Sequence, residues 1–201
     1  MEPFKIEIED SVLIDLKQRL ANTRWPGELE NSFWQYGTNL SYVKELCGYW
    51  LNEFDWRTQE QRINCFSNYL ASVLGLDVHF VHEKGKGPNS IPLIITHGWP
   101  STFAEMIDII PMLTDPESYG GDPNDSFDVI VPSMPGYGFS EKPAAPGINP
   151  RVIAQMWVDL MTKTLGYKKF VAQGGDWGAA ITTALGTNHH DCVESIHLTM
   201  S

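Results

Sequence analysis

The residues best placed to do chemistry are Gln173-Gly174-Gly175-Asp176-Trp177-Gly178-Ala179-Ala180. Lys169-Phe170-Val171-Ala172 leads in with β-branched and aromatic character, and Ala179 to Leu185 leads out with helical character. The segment therefore reads as strand, sharp turn, helix. Gly174 and Gly178 flank Asp176 two positions away on each side, the Gly-x-Nu-x-Gly spacing of a nucleophile elbow with Asp at its centre. Such a turn throws its central side chain outward in a strained position, and the glycines keep neighbouring backbone clear of it. The first turn of the helix offers unpaired N–H groups and positive dipole, which hold a carboxylate ionised. The other reading of Asp176 is a plain helix cap in a Gly-rich turn. A dinucleotide fingerprint fits badly, since Gly-x-Gly-x-x-Gly cannot be laid over Gly174, Gly175 and Gly178.

A second motif, His97-Gly98-Trp99-Pro100, follows the continuous apolar run Pro92-Leu93-Ile94-Ile95-Thr96. That run has the composition of a strand covered on both faces. The motif thus falls at the C-terminal end of a buried strand, where open α/β sheets place their sites. A loop there can aim the Trp99 backbone N–H at a developing oxyanion. The N–H after the nucleophile, that of Trp177, would be the second donor. His97, Gly98 and Pro100 are read as support for that loop. On its own His97-Gly98 would be a tight turn with a hydrogen-bonded histidine; the pairing of the two motifs on separate strand ends favours a site.

The elements that must position these motifs follow from periodicity. Val12, Leu13, Leu16 and Leu20 give one helix an apolar face, ended by Asn22 and Trp25-Pro26-Gly27. Val43, Leu46, Cys47, Trp50 and Phe54 give a second, and Asp55 is placed to cap a third running to about Cys65. Phe66 to Val73 is ambiguous by pattern. Gly75 followed by alternating Leu76, Val78 and Phe80 suggests a hairpin. Thr102 with Glu105 makes a capping box for a helix whose Phe103, Met106, Ile107 and Ile110 face inward. Phe127 to Val131 is a strand, Asn149-Pro150 opens a helix carrying Ile153, Met156, Trp157 and Leu160, and Ser195 to Leu198 begins one more strand. Strands alternating with helices predict an α/β fold, a mostly parallel sheet flanked by helices on both faces.

Composition narrows the function. The 201 residues, 42% hydrophobic, suffice for a buried core. A net charge of −11 argues against nucleic acid or an anionic membrane surface as partner. The acidic stretch Asp115 to Asp128 reads as a solvated loop. Cys47, Cys65 and Cys192 are odd in number and lack metal-ligand spacing, so free thiols in a reducing compartment are expected, and no metal or cofactor is implied. No apolar stretch reaches membrane-spanning length and none resembles a leader. The expectation is a cytoplasmic protein without a membrane anchor, compatible with a homo-oligomer.

Further stretches complete the picture: Thr23-Arg24-Trp25-Pro26, Tyr49-Trp50, Asp55-Trp56-Arg57, His79-Phe80-Val81-His82-Glu83, and Pro132-Ser133-Met134-Pro135-Gly136-Tyr137-Gly138-Phe139-Ser140. With the elbow and His97-Gly98-Trp99-Pro100, they resemble the α/β-hydrolase family, and within it the epoxide hydrolases of the microsomal type. The resemblance covers essentially the whole chain. It implies a helical epoxide hydrolase segment over residues 1–65 and a partial α/β-hydrolase core over 66–201, with Phe66 to Val73 as strand. It also implies that epoxides and water are the substrates and vicinal diols the products, through an ester on Asp176. A carboxylate suits that role, because its ester is cleaved by water at the carbonyl carbon, whereas serine would leave an inert ether. In the family two cap tyrosines protonate the epoxide oxygen, and a histidine oriented by an acid activates the water. All four would follow residue 201, so the chain is expected to carry the nucleophile without its base. His79 and His82 lie on the hairpin, His97 on the oxyanion loop, His189 and His190 at the end of the elbow helix, and His197 at a core or strand-end position. The rival readings are a haloalkane dehalogenase-like hydrolase and a catalytically inactive binding protein.

Overall fold

In a computed structural model that describes residues 1–200, the chain divides into two compact units, Ile6–Arg62 and Met1–Lys5 with Ile63 onward. The first unit is helical. Helix α1 (Asp10–Ala21) ends at Asn22, whose N–H returns to the carbonyls of Gln18 and Leu20. Helix α2 (Leu40–Asn52) begins beneath the Asn39 side chain, which accepts from Tyr42 N. Helix α3 (Trp56–Asn64) follows Asp55, whose carboxylate accepts from Arg57 N and the Thr58 hydroxyl. The rest of Asp55-Trp56-Arg57 ties down the chain near Ile8. Glu60, buried, accepts from Ile8 N at 2.7 Å, Trp56 Nε1 at 3.1 Å and Arg57 at 2.7 Å. The Ile8 N–H is the main cause that holds its carboxyl below the usual range. Leu13, Leu16, Leu20, Leu46, Trp50 and Phe54, six of the nine apolar positions of the sequence pattern, line an open cleft of about 710 Å³ within this unit, while Val12, expected on the same face, is exposed.

The second unit is built on a seven-stranded sheet. Its strands are β1 (Glu2–Pro3), β2 (Asn68–Val73), β3 (Leu76–Glu83), β4 (Ile91–Thr96), β5 (Phe127–Pro132), β6 (Phe170–Gly174) and β7 (Val193–Leu198), in the order β1-β2-β3-β5-β4-β6-β7. β5, β4, β6 and β7 run parallel, while β1, β2 and β3 are antiparallel to their neighbours. The β2–β3 hairpin closes through Leu74 and Gly75, both at positive φ, the twist a two-residue hairpin turn demands. Helices α5 (Pro150–Asp159) and α6 (Trp177–Asn188) cover one face. Asn149 opens α5 by accepting from Arg151 N and Val152 N, as the Asn-Pro pair predicts. Between helices and sheet lies a core of Phe80, Trp157, Leu160, Phe170, Ile181 and Leu185, all at or below 1% exposure. Each such burial contributes roughly 1.5–3 kcal/mol.

Three expectations need correction. The helix predicted after Thr102 is broken: a 3-10 turn at Phe103–Met106 is followed by the short α4 (Ile110–Thr114). Pro111 accounts for the break, because it can begin a helix but not continue one. Thr102 does cap the 3-10 turn, accepting from Ala104 N, while Glu105 N bonds the Thr102 carbonyl rather than its side chain. The acidic stretch is not uniformly solvated: Asp115 pairs with Lys86 at 2.7 Å and Asp128 with Lys84 at 2.8 Å. Tyr167 joins the second pair, donating to Asp128 at 2.7 Å, with His82 Nε2 at 3.0 Å from its hydroxyl. His197 is exposed within β7 rather than in the core.

His79 is fully buried, with Nδ1 2.9 Å from Ser133 Oγ and Nε2 3.0 Å from Asn68 Oδ1. Burial pushes its pKa down to about 3 from an ordinary 6.5. Below 6.5 the unfolded chain therefore takes up a proton that the folded chain refuses, and stability falls as the pH drops toward the folded value. Unfolding free energies from urea titrations should decline between pH 6.5 and about 5, above the range in which carboxylates titrate. His79→Gln, which keeps a donor and an acceptor but cannot titrate there, should lose part of that slope. An unchanged slope would mean that His79 does not contribute.

Candidate active site

β4 and β6 are adjacent, with Thr96 opposite Gly174. From β4 the chain crosses to β5 on one side, and from β5 it returns past β4 to β6 on the other. Loops leaving β4 and β6 therefore diverge, and a crevice opens at their carboxyl ends. It measures about 580 Å³ and is lined by Gly98, Trp99, Glu105, Met106, Gly175 and Asp176, among others.

Asp176 sits between β6 and α6 at φ 51° and ψ −124°, a backbone conformation that L-residues avoid. The glycines around it are there for space. A Cβ on Gly178 would strike the Thr96 carbonyl, and one on Gly174 the Gly178 carbonyl. On Gly175 it would meet the Thr199 hydroxyl. On Gly98 it would stand 2.5 Å from Asp176 Cβ and 2.7 Å from Oδ1. The elbow is thus pressed against the end of β4, and only bare backbone fits.

The Asp176 side chain makes no capping bond further into α6. Its Oδ1 instead accepts from Trp99 N at 2.7 Å. The backbone N–H groups of Trp99 and Trp177, Trp99 first, hold the Asp176 carboxyl below its usual range. The side chain is exposed, so it faces the crevice ionised at neutral pH. His97 is buried, with Nδ1 3.0 Å from Gly98 O and Nε2 accepting from Met134 N at 3.1 Å. Trp99 and Pro100 are joined by a cis peptide bond. Trp99 and Trp177 are 65% and 52% exposed, and Trp99 lines the crevice.

The sequence motifs are therefore brought together: Asp176, Gly174, Gly175, Gly178 and Trp177 on the elbow, His97 to Pro100 on the facing loop. The histidines are not. His79 and His82 are on β3, His189 follows the last turn of α6, and His197 is in β7. Among the described residues no histidine lines the crevice. Glu105 and Met106, on the 3-10 turn after β4, also line it, and the capping pattern carries no sign of this. Met134 was legible only as part of a motif; its position just after β5, the neighbour of β4, is the signal that would have placed it beside His97.

The elbow's strain has a thermal consequence. Asp176→Gly and Asp176→Ala both remove the carboxylate, but only Ala keeps a Cβ at φ 51°. The Gly variant should show the higher Tm in calorimetry. A Gly variant that melts below the Ala variant would show that the conformation costs less than glycine's extra freedom in the unfolded chain.

Residues 1–106 match the family described as "Epoxide hydrolase N terminus", and residues 91–201 match "alpha/beta hydrolase fold". A putative epoxide hydrolase of Stigmatella aurantiaca is 46% identical over 196 residues, which make up 98% of this chain and 44% of the relative. Epoxide hydrolase 1 of Oryctolagus cuniculus is 41% identical over 207 residues, 100% of this chain and 45% of the relative. Among solved structures, the juvenile hormone epoxide hydrolase of the silkworm Bombyx mori superposes with a TM-score of 0.85 at 28% identity, over 99% of this chain and 52% of that one. The Aspergillus niger epoxide hydrolase does so with a TM-score of 0.85 at 29% identity, over 100% of this chain and 52% of that one. The chain thus spans about half the length of the proteins it matches.

Proposed function

We propose that this chain, which belongs to the epoxide hydrolase N-terminus family and has the α/β-hydrolase fold, supplies the nucleophile of an epoxide hydrolase. The observation that carries the proposal is the Asp176 carboxylate held by the Trp99 N–H at 2.7 Å at the mouth of the crevice. With Oδ1 engaged, Oδ2 is the oxygen free to attack. It bonds to an epoxide carbon, the carbon–oxygen bond of the ring breaks, and the released alkoxide takes a proton from water or from an acid that is assigned to none of residues 1–200. Oδ1 becomes the carbonyl oxygen of the resulting ester while still bonded to Trp99 N. When water adds to that carbonyl carbon, negative charge develops on Oδ1, where the Trp99 N–H already points and where the Trp177 N–H would serve as second donor. Collapse releases the diol and restores the carboxylate. The base that activates this water is assigned to none of residues 1–200.

Residues 1–65 are read as the helical epoxide hydrolase segment and 66–201 as the core that holds the elbow. Halide displacement from a haloalkane would use the same carboxylate; the epoxide hydrolases among the relatives support the epoxide. No helix among the described residues is long and apolar enough to cross a membrane. Cys47, Cys65 and Cys192 form no disulfide among the described residues, and this supports a reducing compartment, which we take to be the cytoplasm.

The test is alkylation. Incubation of the purified chain with styrene oxide should add the mass of one epoxide to the peptide containing Asp176, and Asp176→Asn should abolish the addition. Because the carboxyl is held below its usual range, the rate should show no Asp176 inflection above about pH 5. In the intact enzyme the same variant should lose diol formation by about 10⁴-fold or more. Adduct on another residue, or substantial turnover by the Asn variant, would sink the assignment and favour a binding role.

A further inference from the structure

His97 is fully buried, and the chemistry proposed above does not touch it. Its ring protons are nevertheless fixed. Met134 N–H meets Nε2 at 3.1 Å, and a backbone N–H can only donate, so Nε2 carries a lone pair. The Gly98 carbonyl oxygen lies 3.0 Å from Nδ1 and can only accept, so Nδ1 carries the proton. Both ends demand one neutral tautomer. Burial disfavours the charged ring, against the pull of the Gly98 oxygen and of Glu105. Tyr137 closes the ring's surroundings, edge-on at 5.4 Å.

The Gly98 carbonyl and the Trp99 N–H are the two ends of one peptide unit, and a peptide unit is planar. Whatever holds the carbonyl therefore sets the direction of the N–H, which is the group bonded to Asp176 Oδ1. We propose that His97 is a positioning residue: its Nδ1–H grips the Gly98–Trp99 peptide and so aims the Trp99 N–H at Asp176. Met134 N–H sets the tautomer, which makes the loop after β5 the far end of the relay. A protonated ring would turn Nε2–H against the Met134 N–H, donor against donor. The Nε2–H tautomer would turn a lone pair toward the Gly98 oxygen. Either releases the peptide plane.

The inference rests on the nucleophile reading for its catalytic meaning, but its geometry can be tested without any epoxide. The full chain is followed by NMR while the Asp176 carboxyl is titrated. In the wild type the Trp99 amide proton should shift with that titration. In His97→Phe, which fills the ring's space without its bonds, the amide should cease to follow. The Asp176 pKa should then rise toward the ordinary value of about 3.9. In His97→Asn, whose Nδ2 can donate where Nδ1 did, the coupling should return. A Phe variant that titrates like the wild type, or an Asn variant that behaves like Phe, overturns the proposal. If the Phe variant does not fold, the wild-type ring ¹⁵N shifts decide: the Nδ1–H form at neutral pH supports it, and the Nε2–H form or an imidazolium overturns it. Failure of Asp176→Asn to abolish alkylation leaves these spectra unaffected, so the two readings fail separately.

Discussion

One hydrogen bond joins residues 77 apart in sequence, the Trp99 N–H and Asp176 Oδ1, and the architecture around it exists to keep that distance at 2.7 Å. The two loops have no covalent reason to meet. They do so because β4 and β6 lie side by side in parallel register, ending together at Thr96 and Gly174. The glycines then remove every side chain that would keep the loops apart, Gly178 against the end of β4 and Gly98 against Asp176 itself. Backbone donors are preorganised in a way that mobile side chains are not, since their direction is set by the fold.

This arrangement works against the fold locally and is carried by it globally. Asp176 is held at positive φ, and four glycines surrender the side chains that would otherwise pack. Opposing this, α5 and α6 seat Trp157, Ile181 and Leu185 on Phe80 and Phe170 without exposure. The helix that begins at the elbow is thus anchored by its inner face, and the turn at its start has no freedom to relax.

What could be read from the sequence was whatever local pattern decides. The elbow spacing, the Asn149-Pro150 start, the Asp55 cap and the unbroken apolar run of β4 each carry their own geometry, and each stands where expected. The broken helix after Thr102 escaped because the apolar spacing of Phe103, Met106, Ile107 and Ile110 looks helical while Pro111 interrupts it. For His197 the strand pattern leaves core and strand end open; it stands exposed one residue before the end of β7, and its exposure depends on what lies over that strand, which no local pattern records. The bond from Met134 to His97 is legible only once strand order is known, because it joins the loops after β5 and β4.

The sheet also treats its two ends differently. At the end opposite the elbow, Lys84, Asp128, Tyr167 and His82 are knotted together by side-chain bonds of 2.6–3.0 Å between β3, the start of β5 and the approach to β6. There the strands are fastened by their own charges. At the elbow end the fastening passes instead through backbone groups, the neutral His97 ring and the Asp176 carboxylate. Side chains that border the crevice, such as Trp99, Glu105 and Met106, are therefore free to diverge among descendants without unfastening the scaffold. Such a division of labour lets one framework explore new specificities by drift at its rim.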